Sequence, residues 1–321
     1  YWSKVKVPVF SAANWGGQGL HPRGNFEGFV RAASKNKWLE AHGIEHWTHF
    51  YTDYGRELQL RFFDHFLHGK KNGWNRQPKV QLQVRHIDKF VQRSEGEWPL
   101  KRTKWTKFYL DPVQLTLGKK APASTAKVSY KGFSDGVTFM LPPQAEDIEI
   151  TGPSALKLFL SSSTRDADVF AVLRVFTPDL KEVVFQGALD PHTPVGQGWL
   201  RASHRALDVK LSKPYRPYHP HNKLEPLKPG QTVELDVEIL PTSIVVPAGH
   251  RIALTIRGKD YEYPGPAGVL SNMKYPMTGC GPFTHTDPTD RPARVFDGVN
   301  TLHSGPKRAS YVLLPIIPKR K

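Results

Sequence analysis

The residues best suited to chemistry lie in one run, Trp38-Leu39-Glu40-Ala41-His42-Gly43-Ile44-Glu45-His46-Trp47-Thr48-His49-Phe50. Imidazole is the side chain whose ordinary titration falls near neutral pH, so it can take a proton and return it within one reaction cycle. The pattern predicts a short buried strand from Trp38 to His42, then a tight polar turn carrying His42, His46 and His49. After Tyr54, the apolar residues Leu58, Phe62, Phe63, Phe66 and Leu67 recur at the spacing of one helical face. Gly69 is placed to stop that helix in a left-handed conformation. A histidine between a strand and a helix sits where open α/β sheets gather ligands and catalytic groups, at the carboxyl ends of the strands. The competing reading is of surface or packed imidazoles.

Other groupings carry less. Asp166 and Asp168 occupy alternate positions and face one side of a strand, which suits a cation or an acid/base pair but equally a polar sheet edge. His219 and His221 lie in a Pro-rich loop without a third ligand in view and read as surface residues. His285 with Asp287 and Asp290 reads either as a loop near an active-site mouth or as a loop held by Asx turns. Trp15, Trp47 and Trp74 suit an acyl pocket or a core. No metal or cofactor is assigned to any of these.

The elements that position the histidines come next. Val5–Phe10 reads as a strand, Ser11 to Gly19 as a loop, and Asn25–Ser34 as a helix capped by Asn25, with Phe26, Phe29, Val30 and Ala33 on one face. The order β-loop-α-β-loop-α predicts parallel strands covered by helices, the end of a larger sheet. From Lys79 the apolar period changes to two. Val80/Leu82/Val84 opens a series that is cleanest at Val233/Leu235/Val237/Ile239, with Glu234, Asp236 and Glu238 outward, and closes at Val312 to Ile317. Many short strands broken by Pro and Gly predict an antiparallel β-sandwich. The expected fold class is therefore α/β plus all-β. Residues 1–75 would be the end of an α/β sheet (βαβα), 76–104 a connector with the first sandwich strand, and 105–321 the sandwich. Leu211–Gly230 and Tyr263–Pro292 are expected as long surface loops.

With 321 residues, 39% of them hydrophobic, the chain has room for about two packed domains. No apolar run approaches the ~20 residues that span a bilayer, and no membrane partner is expected. Cys280 is the only cysteine, which excludes an intrachain disulfide and agrees with a reducing compartment such as the cytoplasm. The net charge of +16 raises the question of nucleic acid. Apart from Lys319-Arg320-Lys321 and pairs such as Lys70-Lys71 the cations are scattered, so no nucleic-acid partner is expected.

Taken together, these residues resemble the C-terminal portion of the CocE/NonD hydrolases, the serine esterases and acylases related to cocaine esterase and X-Pro dipeptidyl-peptidases. The matching motifs run in order along the chain: His46-Trp47-Thr48-His49, Arg61 to Gly69 with Asn72-Gly73, Gly152-Pro153, Ser161-Ser162-Ser163 with Asp166-Ala167-Asp168, Gly249 to Ile252, and Ser310 to Pro315. The resemblance implies the end of an α/β-hydrolase domain joined to a jelly-roll sandwich. It implies a small ester, amide or peptide substrate, no cofactor, and His49 as the catalytic histidine that activates a serine.

Two departures accompany it. The family's acid lies in a Trp-Tyr/Phe-Asp turn, and the matching turn here is Trp15-Gly16-Gly17, with Gly17 in the carboxylate's place; Glu45, Asp53 or a residue outside this sequence remains open. The chain also has no Gly-x-Ser-x-Gly elbow, so the serine is expected upstream of Tyr1 and the chain alone is expected to be inactive. An uncovered strand at Val5–Phe10 would then promote self-association. The alternative is a non-catalytic β-sandwich module that binds a carbohydrate or a protein.

Overall fold

In the computed structural model, which describes residues 1–188, 190–270 and 284–319, the strands divide between two sheets. Strands β1 (Val9–Asn14) and β2 (Lys37–His42) pair in parallel, with Val9 opposite Lys37 and Asn14 opposite His42. Helix α1 (Pro22–Arg31) joins them. Side chains alternate across a strand, so β2 serves two cores. Leu39 and Ala41 pack with Phe26 and Phe29 of α1, whereas Trp38 packs with Leu58, Phe62 and Trp74 on the other side. Glu40 and His42 share the face of Trp38.

Several expected boundaries shift. The first strand starts at Val9 rather than Val5, because Trp2–Lys4 forms a 3-10 turn and Pro8 has no N–H for a ladder. Helix α1 starts at Pro22, whose fixed φ and missing N–H suit the first turn, with His21 at the N-cap. Asn25 is therefore inside the helix, where its side-chain amide donates to the Ala12 carbonyl. The helix ends at Arg31 because Ala32 is extended. The expected histidine turn is split, since His42 closes β2 while His46 and His49 lie on a short helix, α2 (His46–Tyr51). Helix α3 (Asp53–Leu67) is capped by the Thr52 hydroxyl, which accepts the Gly55 N–H. It buries a narrower face than expected: Leu58 and Phe62 are covered, while Phe63 and Leu67 are exposed.

The strand expected to open the sandwich does not. Strand β3 (Val80–Arg85) pairs in parallel with β2, and β4 (Phe90–Glu95) follows antiparallel, giving the order β1-β2-β3-β4. Its alternation reflects burial of Val80, Leu82 and Val84 in the core beneath α1. A half-buried pattern does not name the sheet it joins. The chain changes sheets between Glu95 and Lys104.

The second sheet has twelve strands, antiparallel apart from the bridge between Thr116 and Met140, around one largely aliphatic core. Its longest pairing joins Ile148–Ser162 to Val233–Val246, with an irregularity between Ile239 and Thr242 that accommodates Pro241. Leu235, Val237 and Ile239 are fully buried, and Val233 packs against them, in the expected register. The outward carboxylates find cations: Lys157 pairs with Glu234 and Asp236, and Arg23 of α1 lies 2.7 Å from Glu238. Arg85 joins the two sheets by donating to the Ser243 and Val195 carbonyls and the Thr242 hydroxyl. Among the described residues no helix is long and apolar enough to cross a membrane. Cys280, part of the Tyr263–Pro292 loop, and Arg320 and Lys321 lie outside the described residues.

Candidate active site

The alternation along β2 drives two polar side chains into an aromatic core. Glu40 is 2% exposed and His42 3%. Glu40 Oε2 lies 2.8 Å from His42 Nδ1, and His42 Nε2 lies 3.0 Å from the Glu45 carbonyl. A carbonyl only accepts, so Nε2 carries a hydrogen. The remaining proton is therefore shared between Nδ1 and the carboxylate. Burial pushes the Glu40 carboxyl upward, and the hydrogen bond to His42 opposes that shift.

His49 is set over this pair. Its ring stacks on His42 with centroids 4.4 Å apart and planes 17° apart, and the Tyr54 ring meets it in an edge contact at 4.8 Å. The Thr52 hydroxyl donates to the His49 carbonyl at 2.8 Å. A Cβ on Gly55 would come within 2.0 Å of that carbonyl, so only glycine lets α3 approach α2 this closely. The His49 side chain is 23% exposed, while its Nε2 is buried without a partner, 3.9 Å from the equally unpartnered Glu40 Oε1. Burial, reinforced by His42 and opposed by Glu45, pushes its pKa down to about 4. The imidazole is thus neutral near pH 7, the form that accepts a proton.

The acid candidates from the sequence fare differently. Glu45 is buried beside the cluster and contributes its carbonyl, whereas the Asp53 side chain is fully exposed and pairs with Arg56. At Gly17 an added Cβ would come within 2.6 Å of Asn14 Oδ1; at Gly16 it would strike the Ile44 carbonyl oxygen at 1.6 Å. The turn is wedged between the histidine loop and the second sheet, where the Ala188 N–H donates to the Gly16 carbonyl at 3.1 Å. The sequence reading does not single out Glu40. The available signal is a carboxylate two positions from a histidine inside an otherwise apolar strand, hence on the same face.

Glu40, His42 and His49 each offer a ligand atom within 4.8 Å of the others. His42, however, has both nitrogens engaged, so a cation would have to displace two hydrogen bonds, and the donor set does not fit a metal as it stands. The remaining candidates are braces. Asp168 binds Arg201 and Arg291, each at 2.8 Å, and Asp166 accepts the N–H groups of Ala167 and Ser203. His219 has a carbonyl against each nitrogen, and His221 Nδ1 lies 3.0 Å from His204 Nδ1. His285 pairs with Asp260 at 2.9 Å rather than with Asp287 or Asp290; Asp287 caps Thr289 and Asp290 binds Arg201. Trp15 and Trp74 are core residues, while Trp47 is half-buried against His46. A cleft of about 630 Å³ is bordered by Arg23, Trp199, Arg201, Tyr218 and His221 and includes none of Glu40, His42 or His49. Its arginines are already paired with Glu238, Asp168 and Asp290.

Residues 72–313 match the family described as the X-Pro dipeptidyl-peptidase C-terminal non-catalytic domain, so the His49 cluster lies before the matched segment. The chain is 24% identical over 306 residues to cocaine esterase of Rhodococcus sp. (strain MB1 Bresler), covering 82% of this chain and 46% of that protein. It is 26% identical over 364 residues to a putative Xaa-Pro dipeptidyl-peptidase of Streptomyces avermitilis, covering 94% and 52%. A crystal structure of a CocE/NonD family hydrolase from Staphylococcus aureus superimposes with a TM-score of 0.87 at 30% identity, over 99% of this chain and 55% of that one. The chain thus spans about half the length of the relatives it matches. On the extent of the family match and the agreement of these relatives, it belongs to the CocE/NonD hydrolase family.

Proposed function

We propose that the protein acts as a serine hydrolase that cleaves an ester, amide or peptide bond through an acyl-enzyme. In this reading the four-stranded sheet is the end of an α/β-hydrolase domain and the twelve-stranded one is its jelly roll. His49 takes the serine proton as general base and returns it to the leaving group as general acid. The nucleophile belongs to the half of the relatives' length that this chain does not span. The observation that carries the reading is the state of His49: a neutral imidazole just beyond the carboxyl end of β2, stacked on His42 and in edge contact with Tyr54, with part of its surface open. A relative named as an esterase and another named as a dipeptidyl-peptidase share the same first step, acyl transfer from a carbonyl, which supports a substrate class and not one substrate.

The test compares full-length protein with its His49→Ala variant, using a fluorophosphonate probe and a chromogenic ester. The variant should keep its circular dichroism and lose about a thousandfold or more in kcat. Residues 1–321 alone, which lack the elbow motif, serve as the unlabelled control. Near-normal turnover of His49→Ala would remove His49 from the chemistry.

A further inference from the structure

We infer that Glu40 has taken over the task of the triad carboxylate, orienting His49 from inside strand β2 instead of from the turn after β1. This rests on the hydrolase reading above. Three independent features of the site lead to it.

The usual slot is empty. Gly17 carries no carboxylate, and a side chain there would need Asn14, which is fully buried, to shift its amide. Gly16 is pressed against the Ile44 carbonyl, so this neighbouring position offers no room for an acid either.

The second feature is a pair of complementary unmet needs. Glu40 Oε1 is a buried acceptor without a donor, and His49 Nε2 is a buried ring nitrogen without a partner. They face each other at 3.9 Å. A closing movement of about 1 Å would bring them to a normal hydrogen-bond distance and satisfy both. Catalytic hydrogen bonds are commonly long before substrate binds.

The third is rigidity. Glu40 sits opposite Ala12 of β1 and Gln81 of β3, so its backbone is held on both sides. Its other oxygen is fixed by His42, whose far nitrogen is fixed by the Glu45 carbonyl. The carboxylate plane is therefore set before His49 engages it. Glu40 is a positioning residue, and His42 is its clamp. With Nε2–H donating to Glu40, Nδ1 is the nitrogen that receives the serine proton.

If Glu40 and His42 were only a buried structural pair, His49 would be indifferent to Glu40. The groups facing His49 are Glu40 and His42 from β2, Glu45 from the following loop and Tyr54 from α3. The experiment is ¹⁵N-histidine NMR of full-length protein, with His49 assigned through His49→Ala, in wild type, Glu40→Gln and Glu40→Asp, alongside ester kinetics. Expected results are an Nε2-protonated His49 in wild type, titrating above the value of about 4 that burial and His42, opposed by Glu45, would set. Glu40→Gln should lower that titration point by at least about one unit and reduce kcat about a hundredfold or more with KM nearly unchanged. Glu40→Asp should recover part of both. A His49 titration unmoved by Glu40→Gln, or kcat within about twofold of wild type, overturns the inference. Should Glu40→Gln fail to fold, the wild-type spectrum decides: an unprotonated Nε2 in the neutral ring refutes the assignment. If His49→Ala stays active, His49 is removed from the chemistry, whereas the titration separately reports whether Glu40 holds His49.

Discussion

In the twelve-stranded sheet, Asp168 is held by Arg201 and Arg291, each at 2.8 Å, and Arg174 meets both carboxylate oxygens of Glu182. In the four-stranded sheet, Glu40 keeps one oxygen unpaired, His49 one nitrogen, and Asn14 both side-chain atoms, all buried. The first region ties these carboxylates to guanidinium groups around a largely aliphatic core, although Tyr130, Ser154 and Asn300 there also keep a buried side-chain atom unpaired; the second leaves a carboxylate oxygen and an imidazole nitrogen unpaired side by side, next to a small aromatic core. An unpaired buried polar atom costs stability, so it persists where something other than stability is selected. What sets the second region apart is that its unpaired acceptor and its unpaired ring nitrogen face each other at 3.9 Å. Asp190, in a loop of the first region, is likewise buried with Oδ1 unpaired, and that loop touches the Gly16 turn.

The comparison is most exposed to hydrogen exchange. Among the described residues β1 and Val233–Ile239 are each paired along one edge only, with β2 and with Ser154–Leu160, but the second strand packs on the larger aliphatic core. In the 321-residue chain, amides of Val9–Asn14 should exchange about a hundredfold or more faster than those of Val233–Ile239. Equal protection in a monomer would abolish the distinction between a soft and a hard region.

A second measurement sharpens it from the scaffold side. Asp168→Ala strands Arg291, which is 5% exposed, and should cost about 3–5 kcal/mol in denaturant unfolding. The ¹⁵N signals of His49 should not move. A loss below about 1 kcal/mol would mean that the buried pairing in this sheet is not what stabilises it.

The smallest effect concerns Asp190, whose carboxyl is pushed up to about 7 by burial. Between about pH 4 and pH 7 the unfolded chain has released this proton while the folded chain retains it, so the penalty is absent in acid and complete above pH 7. Asp190→Asn should therefore raise the melting midpoint by about 3–6 °C at pH 8 and leave it unchanged at pH 4. A gain of equal size at both pH values would assign the effect to packing rather than to charge.

Local pattern made much of this legible. The alternation at Val233 to Ile239 gives the observed register, since a shift by one residue would bury three carboxylates. The β-loop-α-β order gives parallel β1 and β2, and the ordered motifs around His49 give the family. Boundaries were less legible: the first strand and helix both moved, because Pro8 and Pro22 act through missing N–H groups that an apolar count does not register.

What the sequence by itself determined is therefore the content of each element: which faces are apolar, which strand carries the histidine run, and that Gly17 stands where a carboxylate is expected. What only the tertiary structure decided is who meets whom. Val80–Arg85 could pair in either sheet, and it joins β2 because its apolar face completes the core beneath α1. Glu40 is an isolated carboxylate in the sequence. It becomes the neighbour of His49 because β2 points it into the same core that α2 and α3 close, and because Gly55 lets those helices come near enough for Tyr54 to make edge contact with the imidazole stacked on His42. Contacts between residues apart in sequence depend on how the cores pack, and no local spacing encodes that.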